Sequence, residues 1–505
     1  VATADEQAAP ADPRAISDAI LGPERRALTI GLVLNVVAGA FEALAVATVM
    51  PSVVREIGGL DLYGWAFAAY LLASLVGIAL AGTAADARGP SLPMLVGAGA
   101  FCIGLVVSGL AGSMPTVVAG RAVQGLGSGA ISAIGYAAIA RAYPAFAHPR
   151  MLALLSSAWV VPGLVGPAIA GVVADVAGWR WVFLGIAPLV LLGTLLSIPP
   201  LDRLASGGDR PEPGRDAPHE PASSRILPPL ALATGTGLVL RAIEAPRHAL
   251  AWFAGIAGVA LAVPALRRLV PDGTLRVRPG PPAAVALVGA LGFAFFGAEA
   301  FLPLALSEVR GRAATAVGVP LTAGTICWTV GSWIQAREAH RRSRRSLAAS
   351  GVGLVATGIA LVATVLRPTT PVAFATAGWA IAGLGIGIAY STTALVVLET
   401  QGPAAGRASA ALQLAWALGI ALGTGLGGAL VAATTAAGRS TALGIALVDA
   451  MAVLALLGAL AATRRLPDAR ASRLDAPPGG GDPLEHRDPR PPSPAPATEA
   501  GPRER

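Results

Sequence analysis

The stretch Ser157-Ala-Trp159-Val-Val-Pro162-Gly163-Leu-Val-Gly166-Pro167-Ala-Ile-Ala170-Gly171 returns 257 residues later as Leu414-Ala-Trp416-Ala-Leu-Gly-Ile-Ala-Leu-Gly423-Thr-Gly-Leu-Gly-Gly428. Glycine and alanine matches are cheap in a chain with 62 Gly, but Trp159 on Trp416 is not. At the same offset Glu42 falls on Glu299 and Arg150 on Arg407. Gly125-Leu-Gly127-Ser-Gly129 meets Gly383-Leu-Gly385-Ile-Gly387 one residue out of step. The chain therefore carries an apolar unit twice, in the same direction, and two parallel repeats suit a transporter whose site lies between them.

The composition sets the solvent for that repeat. Of 505 residues 54% are hydrophobic and only 13% charged, about half the ~25% charged share of soluble domains. Mean hydropathy is +0.66. A globule this apolar has no surface to offer water, so a soluble enzyme is excluded and an all-α polytopic membrane protein is expected. Apolar runs of roughly 20 residues, the bilayer-crossing length, lie near 27–50, 63–85, 92–112, 115–140, 150–174, 181–199, 226–243, 248–266, 283–306, 314–335, 347–366, 371–397, 407–433 and 440–463. The weakest, 226–243, ends among Arg241 and Glu244.

Arginine placement tests this count of fourteen. Every basic residue among the 37 is arginine, and with the N-terminus in the cytoplasm the cytoplasmic connections hold twenty arginines against eight outside. That is the positive-inside bias. Thirteen spans would put the Arg337–Arg345 cluster outside; twelve would keep the parity. The expected organisation is a cytoplasmic segment 1–26, a six-helix half 27–199, a loop with two inserted helices 200–281, a second six-helix half 282–464 and a disordered cytoplasmic tail 465–505. The first ~25 residues lack an apolar core, so no cleavable signal is expected there.

Other chemistries find little support. Cys102 and Cys327 sit alone in apolar runs, the five histidines fall in polar connections without ligand spacing, and arginine is scattered rather than gathered on one face. No metal, cofactor, catalytic residue or nucleic-acid partner is expected. A chain without lysine cannot hold a GxxxxGK[ST] phosphate loop, so ATP-driven transport in cis is excluded.

Charges inside a bilayer are expensive, about 2.5–3.5 kcal/mol at a helix centre on insertion scales, and mark function by default. Four stand out: Glu42, Arg121, Glu299 and Asp449. At ~1.5 Å per residue, Glu42 and Arg121 lie at similar depth, which makes an ion pair feasible. Burial disfavours the ionised form of a carboxylate and a neighbouring arginine favours it, so a moving neighbour switches protonation. The bland alternatives are a static buried pair and, for Asp449, a hydrogen bond to an adjacent helix. Gln124 lies one turn from Arg121 on nearly the same face, and the glycines that follow permit close helix approach. Pro162 and Pro167 with the small residues of span 5 form a kinked seam. Gly82…Asp86-Ala-Arg88-Gly89-Pro90 closes span 2.

These strings together resemble the major facilitator superfamily, in its fourteen-span drug:proton antiporter branch. Gly82…Asp86…Gly89 is similar to that family's loop motif between spans 2 and 3. Arg121…Gln124-Gly125…Gly127 resembles its span-4 motif, whose arginine is implicated in proton coupling. Gly163…Gly166-Pro167…Gly171 resembles its span-5 antiporter motif. Glu42…Val46-Ala-Thr-Val-Met-Pro51 and Trp179-Arg180-Trp181-Val-Phe183 resemble its span-1 signature and the start of its span 6. Departures are Pro90 and Ser91 where the loop motif is usually basic, leaving only Arg88, Ala170 in place of a glycine, and Gly331-Ser-Trp-Ile-Gln335-Ala-Arg337, the second-half counterpart of the loop, without an aspartate. The resemblance, over roughly 27–464, implies a major facilitator fold and a monomeric proton-coupled exporter of small amphipathic compounds. Its expected partners are the substrate, protons and the lipid bilayer. It would sit in the bacterial cytoplasmic (inner) membrane with both termini cytoplasmic, with Glu42, Arg121, Glu299 and Asp449 in proton coupling and Gly82, Asp86, Arg88, Gly89, Gln124, Gly125, Pro162, Gly166, Pro167 and Gly171 in gating. The alternative is a dedicated exporter of an endogenous metabolite, antibiotic or lipid-like molecule. Uptake by symport, a channel and a membrane-embedded enzyme rank lower.

Overall fold

The structure, a computed structural model, describes residues 18–206, 222–244, 249–398 and 404–468. The expected tail lies outside these residues apart from its first positions, as do the first 17 residues and the centre of the 200–225 loop. Among the described residues fourteen helices are long and apolar enough to cross a membrane: α1 Arg26–Ile57, α2 Leu60–Arg88, α3 Ser91–Gly109, α4 Met114–Ala142, α5 Arg150–Val176, α6 Trp179–Leu204, α7 Ser223–Glu244, α8 Leu250–Leu269, α9 Pro281–Val309, α10 Ala314–Glu338, α11 Arg344–Leu366, α12 Ala373–Val397, α13 Ala410–Ala436 and α14 Thr441–Thr463. Helix is the form in which a chain can cross lipid with its backbone N–H and C=O groups satisfied within one segment. The weak run 226–243 is a full helix here, its Arg241 and Glu244 paired with each other at the helix end.

The repeat in sequence is a repeat in packing. In the first half α4 packs on α2 and α3, α1 on α5 and α6, and α3 on α6. In the second, α12 packs on α10 and α11, α9 on α13 and α14, and α11 on α14. Across the halves α2 meets α13, α5 meets α10 and α1 meets α9. The hairpin α7–α8 lies outside both sets, with α7 against α2 and α13.

Small residues place these helices, since lipid supplies no hydrophobic drive between them. Gly125 and Gly129 put the backbone of α4 against the carbonyls of Tyr70 and Ser74 on α2, while Gly127 faces Gly97 and Phe101 on α3. Gly383 and Gly387 set α12 against Gly324 and Trp328 of α10, and Gly385 against Gly351 of α11, in the same way. The Gly-x-Gly-x-Gly string is thus a three-helix junction, used twice. Gly89 has another task. Its φ of +82° ends α2 while its N–H bonds the Ala85 carbonyl, a left-handed geometry that favours glycine.

The halves are pinned together at one end of the bundle. Tyr63 Oη donates to the Ala300 carbonyl at 2.8 Å, Thr315 Oγ1 and N–H donate to Asp175 at 2.5 and 3.2 Å, and Arg55 pairs with Glu308 at 3.7 Å. All of these contacts between the halves lie near residues 55–63. At the other end, near residues 86–91, Asp86 turns instead to Arg141 and to Arg225.

Gly125→Val would drive a side chain into the backbone of α2, which an overpacked interior resists by about 1–3 kcal/mol. A lower melting temperature in detergent is expected, with Gly82→Ala as control, because a methyl there meets nothing within 4 Å.

Candidate functional site

Glu42 and Arg121 form a buried ion pair between α1 and α4. Glu42 is wholly buried and Arg121 only 3% exposed. The guanidinium is held from four directions. Its Nε donates to the Ala66 carbonyl of α2 at 2.9 Å, one Nη donates both to Glu42 Oε1 and, at 2.9 Å, to Gln124 Oε1, and its face lies 4.2 Å from the ring centroid of Tyr70. Tyr70 is itself fixed by a hydrogen bond from its hydroxyl to Ser128 Oγ at 2.7 Å. Three helices therefore converge on one cation. Two polar atoms of the cluster, Glu42 Oε2 and Gln124 Nε2, are buried without a hydrogen-bond partner among the described residues.

The second half lacks this cluster. In the register that aligns the glycine triads, Arg121 corresponds to Trp379, which is 1% exposed and stacked on Phe295 at 4.7 Å. From there an aromatic group extends through Phe296, Trp328, Trp416 and Tyr390, with ring centroids 4.7–6.3 Å apart. The outer four of these rings are half-buried. Glu299 stands one helical turn beyond Phe295 on α9, 8% exposed, with no ion pair among the described residues. Asp449 of α14 is 4% exposed, and its Oδ2 has no partner. The structure brings Glu42, Arg121 and Gln124 together and leaves Glu299 and Asp449 apart, each without an arginine.

The motif residues divide likewise. On α5, Gly163 faces Thr325 and Gly171 faces Ala314 and Thr315, while the Pro167 backbone is approached by Gly318. All of these partners are on α10, so this seam joins the two halves. Pro162, Gly166 and Pro167 are buried, and Gly166 faces Phe41 of α1. Asp86 is bonded to Arg225 at 2.8 Å and to Arg141 at 3.5 Å, whereas Arg88 is exposed and unpaired among the described residues. Gly82 helps to line a groove of about 240 Å³ beside Asp86, Arg141 and Arg225.

The family model for the Major Facilitator Superfamily matches residues 28–424. The chain belongs to the Major Facilitator Superfamily. Among curated members, an uncharacterised MFS-type transporter of Mycobacterium tuberculosis is 27% identical over 75% of this chain, which spans 56% of that relative's length. A probable multidrug-efflux transporter of the same organism is 29% identical over 72% of this chain and 78% of its own. Multidrug resistance protein 3 of Bacillus subtilis is 28% identical over 34% of this chain and 33% of its own. Solved structures share the fold at lower identity. A bacterial homologue of the human lysosomal transporter Spinster superposes with a TM-score of 0.60 at 16% identity, covering 89% of this chain and 99% of that one. A D-xylose–proton symporter gives 0.59 at 17%, covering 88% and 98%. This major facilitator chain is thus a multi-pass membrane protein.

Sequence reasoning missed Tyr70, the Ala66 carbonyl and the tryptophan in the arginine register. A backbone carbonyl has no sequence signature. Trp379, however, was findable from the glycine triads alone, since sliding Gly125 onto Gly383 puts Arg121 on it.

Removing one member of a buried pair strands the other charge, at a cost of about 3–5 kcal/mol. Glu42→Gln and Arg121→Met should each lower the melting temperature, and the double variant should recover part of the loss. Additive losses in the double variant would mean the two side chains are not coupled.

Proposed function

We propose that this transporter exports small amphipathic, cationic compounds in exchange for protons, by alternating access. The observation that carries the reading is the Glu42–Arg121–Gln124 cluster: a carboxylate sealed in the membrane interior, neutralised by one arginine, with its second oxygen unpartnered. Protonating Glu42 removes the charge that ties α1 to α4, while Arg121 keeps Ala66, Gln124 and Tyr70 as partners. Proton binding is thereby converted into a weaker contact between two helices of the first half, the differential interaction that any ligand-driven shift needs.

The aromatic group of the second half fits the other task. Half-buried rings with an unpaired carboxylate one turn away suit a planar cation, since a cation over a desolvated ring gains about 2 kcal/mol. The efflux proteins among the relatives and the resemblance of span 5 to the antiporter motif support export over uptake. The arginine bias supports termini in the cytoplasm of a bacterial inner membrane. On that orientation the pinned end faces outward.

Ethidium efflux from proteoliposomes, with and without an imposed pH gradient, tests the reading. Wild type should show gradient-dependent efflux and Glu42→Gln should lose that dependence. Trp328→Ala or Trp416→Ala should raise KM about thirtyfold, roughly the weight of one desolvated cation–π contact. Absence of ethidium movement in wild type would refute broad drug export and favour a dedicated exporter of an endogenous metabolite, antibiotic or lipid-like molecule. Efflux unchanged in Glu42→Gln would return Glu42 to a structural role.

A further inference from the structure

The inserted hairpin α7–α8 has no counterpart in the repeat, and its contacts are unequal. Along α2, helix α7 is fastened at both ends. Near the 86–91 end Arg225 pairs with Asp86 at 2.8 Å. Near the opposite end Trp65 Nε1 donates to Glu244 Oε1 at 2.5 Å, while Arg241 holds the other oxygen of Glu244 at 2.6 Å. Arg225 and Glu244 are 19 residues apart, about 28 Å of helix, so the two fastenings span nearly the full thickness of the hydrocarbon core. Between them Leu232 and Leu240 are buried in a cluster with Ala68, Leu72 and Leu75 of α2.

Against α13 the contact is of another kind. Leu240 lies over Gly425, and Leu418 and Ala421 complete the apolar cluster. The contacts of Leu232 and Leu240 with α13 are apolar. Helix α8 is welded to α7 by the facing glycines Gly235 and Gly258, and only 11% of its apolar window is buried. Beyond α8 the connection changes sides. Arg465, at the end of α14, donates to the carbonyls of Arg276 and Val277 at 2.8 and 2.9 Å, and its own carbonyl accepts from the Gly280 N–H at 3.1 Å. The chain turns there through Gly273 and Val277, both at positive φ.

We infer that the α7–α8 hairpin is a moving part of the N-terminal half: Arg225 and Glu244 clamp α7 to the two ends of α2, the hairpin slides over the smooth face of α13 as the halves rock, and the hinge lies between Leu269 and Gly280. Polar contacts have fixed geometry and resist sliding, whereas an apolar face over glycine does not, so the asymmetry of contacts sets which half the hairpin follows. Each exposed ion pair is weak by itself; the clamp acts because it holds both ends of one helix. The inference rests on the alternating-access reading above.

Double electron–electron resonance in nanodiscs tests it. Ile256 on α8, Val96 on α3 and Leu454 on α14 are each more than 60% exposed and accept a spin label without disturbing packing. Pairs are made by substitution to cysteine in a Cys102→Ser, Cys327→Ser background and measured at low and high pH with and without ethidium. The Val96–Leu454 distance reports whether the halves rock at all. Where it shifts, the Ile256–Val96 distance should stay fixed and Ile256–Leu454 should shift. Arg225→Met with Glu244→Gln should broaden Ile256–Val96 while leaving Val96–Leu454 narrow. A hairpin that keeps its distance to Leu454 instead, or a distribution unchanged by loss of both side chains, overturns the clamp. A Val96–Leu454 distance that never shifts overturns the rocking reading, and the inference with it.

Discussion

A carboxylate and a guanidinium paired where no water reaches is the constraint from which the rest of this molecule follows. Each ion alone would cost several kcal/mol to bury, and their attraction offsets that only when the remaining donors and acceptors are also met. Arg121 meets that condition through a carbonyl on α2, an amide on its own helix and the face of Tyr70. Gly125 and Gly129 set α4 against the backbone of α2, which carries the Ala66 carbonyl and Tyr70, while Glu42 reaches the guanidinium from α1. The glycine string and the charge cluster are one device: the first sets the distance, the second uses it. Glu42 contributes the exception, an oxygen left without a partner, where a proton would change the balance.

The two halves share a frame and differ in cargo. Equivalent glycines place α2–α3–α4 and α10–α11–α12 alike, yet α4 carries a buried ion pair to α1 where α12 carries a tryptophan stacked on Phe295 of α9. A repeat constrains backbone packing, which both halves need, and leaves side chains free to diverge. Under the proposed function the first cluster takes the proton and the second the substrate, and the seam of small residues between α5 and α10 joins the two halves.

The fourteen helices were legible in the sequence because bilayer thickness fixes their length and lipid forbids other backbone forms in contact with it. The repeat was legible because Trp159, Glu42 and Arg150 each have a partner at one offset. Glu42 and Arg121 stood out as charges in apolar runs, and similar depth suggested their meeting. Tyr70 did not stand out, since an aromatic residue in a membrane helix is ordinary. Nor did the seat of α7 on α2: an apolar helix surface does not name its neighbour, and Arg225 and Asp86 are 139 residues apart, in what read as two unrelated loops. Gly89 was quoted as a motif residue, but its task of ending α2 at positive φ is visible only in the backbone.

The central claim is that Glu42 changes protonation as substrate binds. Proton release on ethidium binding to purified protein in weakly buffered detergent, followed with a pH-sensitive dye, tests it most directly. Wild type should release protons as ethidium binds, and Glu42→Gln should bind ethidium while releasing none. Equal release from the two proteins would contradict the account and move the exchangeable proton to Glu299 or Asp449.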